Sequence, residues 1–217
     1  SPSSSTERGT VGPMDPRTLR LAVLVVAAGA GSRFSEAPGA KLLAAIDGQP
    51  MLQRVLDEVR SLAPATTVVV LGHGADEIER TLAWGDEIRV RNHAPDLGLA
   101  SSLQVGIDAL RALPDAHDGA FLVLGDQPWL RADVMRRLVV AATAARPDER
   151  PVVVPRYDTP GPRNPVLLLR PAWSWVDELD GDHGLNQAIA ARPDAVLEVT
   201  VGGEMPDVDT PDDLAKL

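Results

Sequence analysis

The hydrophobic pattern begins with an uninterrupted apolar run, Leu21-Ala22-Val23-Leu24-Val25-Val26, that leads straight into glycines. A run without polar alternation has no solvent face, so it predicts a strand buried on both sides of a parallel sheet. After Pro50, the residues Met51, Leu52, Val55, Leu56, Val59 and Leu62 recur at helical spacing, and the β-branched run from Thr66 to Leu71 completes one βαβ unit. The alternation continues with a helix near Asp76 to Trp84, a strand near Ile88 to Arg91, a helix from about Leu99 to Leu113 and the strand Ala120 to Leu124. Val134, Leu138 and Ala141 to Ala145 predict another helix, Val152 to Val154 and Val166 to Leu169 short strands, and Pro211 the start of a last helix. Such alternation builds a mainly parallel sheet between two helical layers, an α/β/α architecture.

Composition sets the bounds. The 217 residues suffice for one large core, expected over residues 19–217, while the polar, aperiodic stretch 1–18 reads as a disordered arm. With 21 basic against 31 acidic residues and no basic stripe, long nucleic acid is a poor partner, because phosphate neutralisation dominates its binding. Cysteine is absent, which excludes disulfides and thiolate metal sites from this chain and fits a reducing cytoplasm. No apolar run approaches membrane-spanning length and no export pattern opens the chain, so neither a membrane nor a secreted setting is expected.

Candidate chemistry gathers where predicted strands end. Ala27-Ala28-Gly29-Ala30-Gly31-Ser32-Arg33 follows the first strand, and Lys41 follows a short loop. Small residues let the backbone approach a base or phosphate closely, and Arg33 and Lys41 can neutralise a polyphosphate. The phosphate loop of ordinary NTPases is missing, and Phe34 stands where the dinucleotide fingerprint has its third glycine, which disfavours a nicotinamide enzyme. Asp126, in Leu124-Gly125-Asp126-Gln127-Pro128, ends a central strand, where open α/β sheets place ligands; its hard oxygens suit Mg²⁺ beside substrate phosphates. Ser101 and Ser102 open a helix after Gly98, where hydroxyls and end-of-helix amides can meet a nucleotide or simply cap the helix.

Taken together, Ala27-Ala28-Gly29, Gly98-Leu99-Ala100-Ser101-Ser102-Leu103, Leu124 to Pro128, Arg163-Asn164-Pro165-Val166, Gly181-Asp182-His183-Gly184 and Asp207 to Leu214 resemble the molybdenum cofactor nucleotidyltransferases, the cytidylyltransferase branch in particular. The resemblance runs from Leu21 to Leu217 and implies a Rossmann-like, nucleotide-diphospho-sugar transferase type of fold. It further implies Mg²⁺-dependent transfer of CMP from CTP to molybdopterin with release of pyrophosphate, and a molybdoenzyme or its chaperone as a possible recipient. Arg33, Lys41 and Asp126 take the catalytic positions, and the 27–33 loop, Gly98, Ser101 and Ser102 the nucleotide. Asp209 is the resemblance's choice as a second metal ligand over Asp207, although Asp209-Thr210-Pro211 also reads as a helix start. Arg163, Asn164, Pro165, Asp182 and His183 fall to the acceptor.

Ala28, where guanylyl-transferring relatives carry glycine, favours CTP, with GTP as the alternative. Two departures from the family stand out: the loop between Arg33 and Lys41 is longer than the family's usual one and holds Glu36, and Arg163 occupies a position that is usually glycine. A non-catalytic module that binds and delivers the cofactor, and an oxidoreductase on the same scaffold, are the rival readings. No role falls to His73, His93 or His117.

Overall fold

The computed structural model describes residues 19–31, 34, 37, 39–145, 148–159, 161, 163–182 and 184–206. The expected N-terminal arm and the helix expected from Pro211 lie outside the described residues. In chain order come β1 (Leu21–Ala27), α1 (Ala40–Leu43), the hairpin β2 (Ala45–Ile46) and β3 (Gln49–Pro50), α2 (Met51–Leu62), β4 (Thr66–Leu71), α3 (Ala75–Thr81) and β5 (Ile88–Arg91). Then follow α4 (Leu99–Arg111), β6 (Gly119–Leu124), α5 (Ala132–Ala144), β7 (Val152–Arg156), β8 (Val166–Leu169), α6 (Ser174–Asp177), α7 (Gly184–Ala191) and β9 (Val196–Thr200).

The main sheet has seven strands in the order β5-β4-β1-β6-β8-β7-β9. Only β8 runs antiparallel to its neighbours β6 and β7 among the described strands. All seven residues of β1 are buried, as an apolar run without alternation requires. Its two faces feed different layers. Val23, Val25 and Ala27 join Leu52, Val55 and Leu56 of α2 and Met135 and Leu138 of α5. Ala22, Leu24 and Val26 meet Leu103, Ile107 and Leu110 of α4, with Trp173 and Trp175 beyond. The i, i+4, i+7 spacing of that α4 stripe puts one helical face on the sheet. The three-layer architecture is therefore present as expected, and no helix among the described residues is long and apolar enough to cross a membrane.

Three expectations need correction. The helix expected to reach Trp84 ends at Thr81, where Leu82 turns extended, and the Trp84 indole instead donates back to the Glu79 carbonyl at 3.0 Å. Beyond the 181–184 segment, which reads as a loop and a helix cap, no helix is expected, and α7 runs there from Gly184 to Ala191. The sheet also gains β9, which pairs in parallel with β7 from Val152↔Val196 to Arg156↔Thr200.

Candidate active site

The carboxyl ends of β4, β1 and β6 meet side by side, since the register pairs Ala27 with Leu71 and Val26 with Leu124. Above them opens a cavity of about 590 Å³. Its floor is the 26–31 backbone. A Cβ placed on Gly29 would meet nothing within 4 Å, so the main chain there faces open space that a ligand can fill, whereas a Cβ on Gly31 would lie 3.0 Å from Lys41 Cβ. Gly72 is the opposite case: a Cβ there would lie 2.7 Å from the Ala28 carbonyl oxygen, and only glycine lets β4 and β1 run this close as they leave the sheet.

Asp126 sits in the turn after β6, and the Gly125 amide donates to the Val26 carbonyl at 2.8 Å, which ties that turn to β1. Lys41 reaches it from α1: Nζ donates to Asp126 Oδ2 at 2.6 Å across 85 residues of sequence. The lysine side chain is 9% exposed and the aspartate 36%, so the pair leaves the carboxylate reachable from the cavity while the ammonium is largely sheltered. A part-buried ion pair between strand end and loop helix fixes both charges beside the glycine floor.

Opposite stands the start of α4. Gly98 has φ 91°, a conformation that side chains rarely adopt, and a Cβ on it would lie 2.5 Å from the Gly181 carbonyl carbon and 2.6 Å from Asp182 Oδ1. That crowding has a purpose visible in the hydrogen bonds. The Leu99 amide donates to Asp182 Oδ1 at 3.3 Å, and the Ala100 amide donates to the Gly181 carbonyl at 3.0 Å. The two helix-end amides expected to meet a nucleotide are thus capped by the chain itself.

The serines divide. Ser102 is buried and lines the cavity, and Asn92 Nδ2 donates to its hydroxyl at 3.0 Å. Ser101 does not line it; its hydroxyl donates to the Gly98 carbonyl at 2.9 Å and accepts from Asn92 Nδ2 at 2.8 Å. Ser101 therefore ties the loop before α4 together and does not stand in the cavity wall.

Of the remaining expected site residues, Ala27, Ala28, Gly29, Ala30, Gly31, Lys41, Gly98, Asp126 and Asp182 all line the cavity. Ser32, Arg33, His183 and Asp209 lie outside the described residues. Arg163, Asn164 and Pro165 precede β8, whose reversed direction brings them to the same edge of the sheet as Asp126, but outside the cavity wall. Arg163 pairs with Glu198 at 3.1 Å. The Asn164 carbonyl accepts from the Tyr157 hydroxyl at 2.8 Å, and burial pushes that phenol up to about 12, so it stays a donor.

Two polar lining residues were missed from sequence. His73 stands just beyond β4 and Asp96 in the turn of 3₁₀ helix before Gly98, joined by a 2.9 Å contact from Nε2 to Oδ1. The signal was available for His73, because it follows a predicted strand end by the same logic that singled out Asp126. Asn92, which holds both serines and accepts from the Ala94 amide at 2.9 Å, had no signal in the sequence.

Known proteins share this fold. Rv0371c from Mycobacterium tuberculosis H37Rv superposes with a TM-score of 0.76 at 28% identity, over 91% of this chain and 97% of that one. The same protein in complex with manganese superposes with a TM-score of 0.74. A nucleotidyl transferase from Methanothermobacter, Mth528, has the same fold at 23% identity and a TM-score of 0.73, over 91% of this chain and 95% of that one. The bifunctional protein GlmU of Paracidovorax citrulli is 40% identical over 126 residues, which are 56% of this chain and 25% of that protein. The match thus spans about a quarter of the length of such curated relatives. The resemblance read from the motifs holds for the wider family of NTP transferases, and these relatives do not single out its molybdenum cofactor cytidylyltransferase branch. The family described as MobA-like NTP transferase domain matches residues 23–196, and with that span the chain belongs to it.

Proposed function

We propose that this chain transfers a nucleotidyl group from a nucleoside triphosphate, CTP by preference, to a small phosphorylated acceptor, with molybdopterin the acceptor its motifs favour. The observation that carries the reading is the meeting of the Gly29 to Gly31 backbone, open to the cavity at Gly29, with the Lys41–Asp126 pair in one cavity. Backbone amides and an ammonium suit a polyphosphate; a carboxylate beside them does not, unless a cation accompanies the ligand. The Asp126 oxygens fit a divalent metal whose other ligands are phosphate oxygens and water, and the manganese complex of Rv0371c supports a metal in this family. Mg²⁺, when bound, supplies neutralisation of the charge that gathers on the phosphates.

In the transfer itself, an acceptor phosphate oxygen attacks the α-phosphorus in line. A new phosphorus–oxygen bond forms as the bond to the bridging oxygen breaks, and pyrophosphate departs with that electron pair. The 29–31 backbone positions the polyphosphate, and Lys41, with Arg33 as its proposed companion, stabilises charge on the leaving group. Ser102 offers a hydroxyl to the nucleotide, and Asp182 holds the start of α4 against it. Asp182 and His183, with Arg163 to Pro165 at the same sheet edge, are proposed to face the acceptor, and Asp209 to add a metal ligand. A molybdoenzyme or its chaperone would then take the product.

Identity to GlmU favours a second reading, the same transfer to a different phosphorylated acceptor. Pyrophosphate release measured with CTP, GTP, ATP and UTP, each with Mg²⁺ and molybdopterin, tests the proposal. CTP with molybdopterin is expected to turn over, and a clear preference for GTP would overturn the choice of nucleotide.

A further inference from the structure

The cavity holds a second polar pair for which the transfer chemistry has no task. His73 Nε2 lies 2.9 Å from Asp96 Oδ1, and both residues line the same cavity as Lys41 and Asp126. His73 stands beyond the end of β4 and Asp126 beyond the end of β6, with β1 between these strands. Two strand spacings therefore separate them, roughly 10 Å of backbone. A polyphosphate held at Gly29 to Gly31 and Lys41 leaves the β4 side of the cavity, walled by Pro95, Leu99 and Ser102, to the nucleoside.

Base choice needs a residue on that side. The Ala28 methyl is poorly placed to supply it, because Ala28 is 2% exposed and its Cβ packs toward Gly72, where an added Cβ would come within 2.8 Å of it. Asp96 is better placed. Its side chain is 87% exposed at the cavity wall, one carboxylate oxygen is engaged by His73, and Oδ2 has no hydrogen-bond partner among the described residues. An ionised carboxylate only accepts hydrogen bonds. It therefore complements the exocyclic amino group of cytosine and opposes uracil, which presents a carbonyl oxygen at that position.

We infer that Asp96, oriented by His73, reads the base in this cavity by accepting a hydrogen bond from an exocyclic amino group, so that CTP is held and UTP is rejected. The inference rests on the nucleotide-binding reading above, and it makes His73 a positioning residue.

Titration calorimetry of the full chain with Mg²⁺-CTP and Mg²⁺-UTP, without acceptor, separates the two claims. Wild type should bind CTP roughly ten- to a hundred-fold more tightly than UTP, the discrimination of one good base contact. In Asp96→Asn the amide can present either a donor or an acceptor, and the ratio should fall to within about threefold as UTP gains and CTP loses. His73→Ala should narrow the ratio part of the way and His73→Gln should restore it, a rescue that a purely structural role would not show. Lys41→Ala should weaken both nucleotides alike and leave the ratio where it was. If wild type binds both equally, or Asp96→Asn keeps the wild-type ratio, the inference falls while the nucleotide site stands. If wild type binds neither, the nucleotide reading falls and takes the inference with it.

Discussion

Lys41 and Asp126 are far apart in sequence and 2.6 Å apart in space, and the consequences of changing either are unequal. Removing the Asp126 charge deletes the oxygen ligand proposed for the metal and leaves Lys41, largely sheltered, without this carboxylate. Asp126→Asn should lower turnover by roughly 10²- to 10³-fold, the usual cost of losing one transition-state electrostatic group, with little change in melting temperature. Lys41→Ala should weaken triphosphate binding and also lower kcat, because the charge it faces grows as pyrophosphate departs, so steady-state kinetics should show kcat falling as KM rises. Asp126 was legible because strand ends of a parallel sheet point into the crevice, so a carboxylate beside such an end announces itself, and Lys41 as a cation following the loop after the glycine segment. Asp96 was not, since it stands in a short polar turn and acquires meaning only through a histidine 23 residues away.

Helix α4 shows how an element can be read correctly and its end misread. Its apolar spacing predicted the helix, but nothing local says that its first amides are satisfied by a loop 83 residues further on. Ser101 looked like a cap or a ligand contact because of its position; the structure gives the cap to Asp182 and Gly181. Gly98→Ala should cost about 1–3 kcal/mol, since the new methyl would strain the backbone and press on Gly181 and Asp182. Chemical denaturation checks this. Asp182→Ala removes a long cap bond and should cost about 0.5–1 kcal/mol while raising KM for the nucleotide several-fold, because the Gly98 loop loses its anchor. Two of the elements that the sequence reading lacks, α7 and β9, share a cause. Gly184–Ala191 is short and has no sequence signal for its start, and Val196–Thr200 is an edge strand that keeps polar Glu198 half exposed, so neither carries a long periodic signal.

For the molecule as a whole, the layers were legible because β1 and its neighbours carry continuous apolar runs that only a sheet covered on both faces can bury. The reversed strand β8 was not, since strand direction depends on connections that no periodicity encodes. One buried group makes global stability depend on pH. His117 is 1% exposed, with Nε2 3.0 Å from Thr66 Oγ1. Burial holds its pKa below the ordinary histidine value, reinforced by Arg20 and Arg170 and opposed by Asp115 and Asp118. The unfolded chain binds a proton near pH 6.5 that the folded chain refuses, so stability is full above that pH and falls as the solution is acidified through it. Thermal melts from pH 7.5 to 5.0 should show this decline, and His117→Gln should melt lower at pH 7.5 yet lose less on acidification.

All of these expectations presuppose that the glycine backbone and the Lys41–Asp126 pair hold the triphosphate together. Titration calorimetry with Mg²⁺-CTP on wild type and on Asp126→Asn measures that directly. Saturable one-to-one binding should appear in wild type, and the variant should lose the Mg²⁺-dependent part of the affinity. Equal, Mg²⁺-independent binding by both proteins, or none by either, would contradict it.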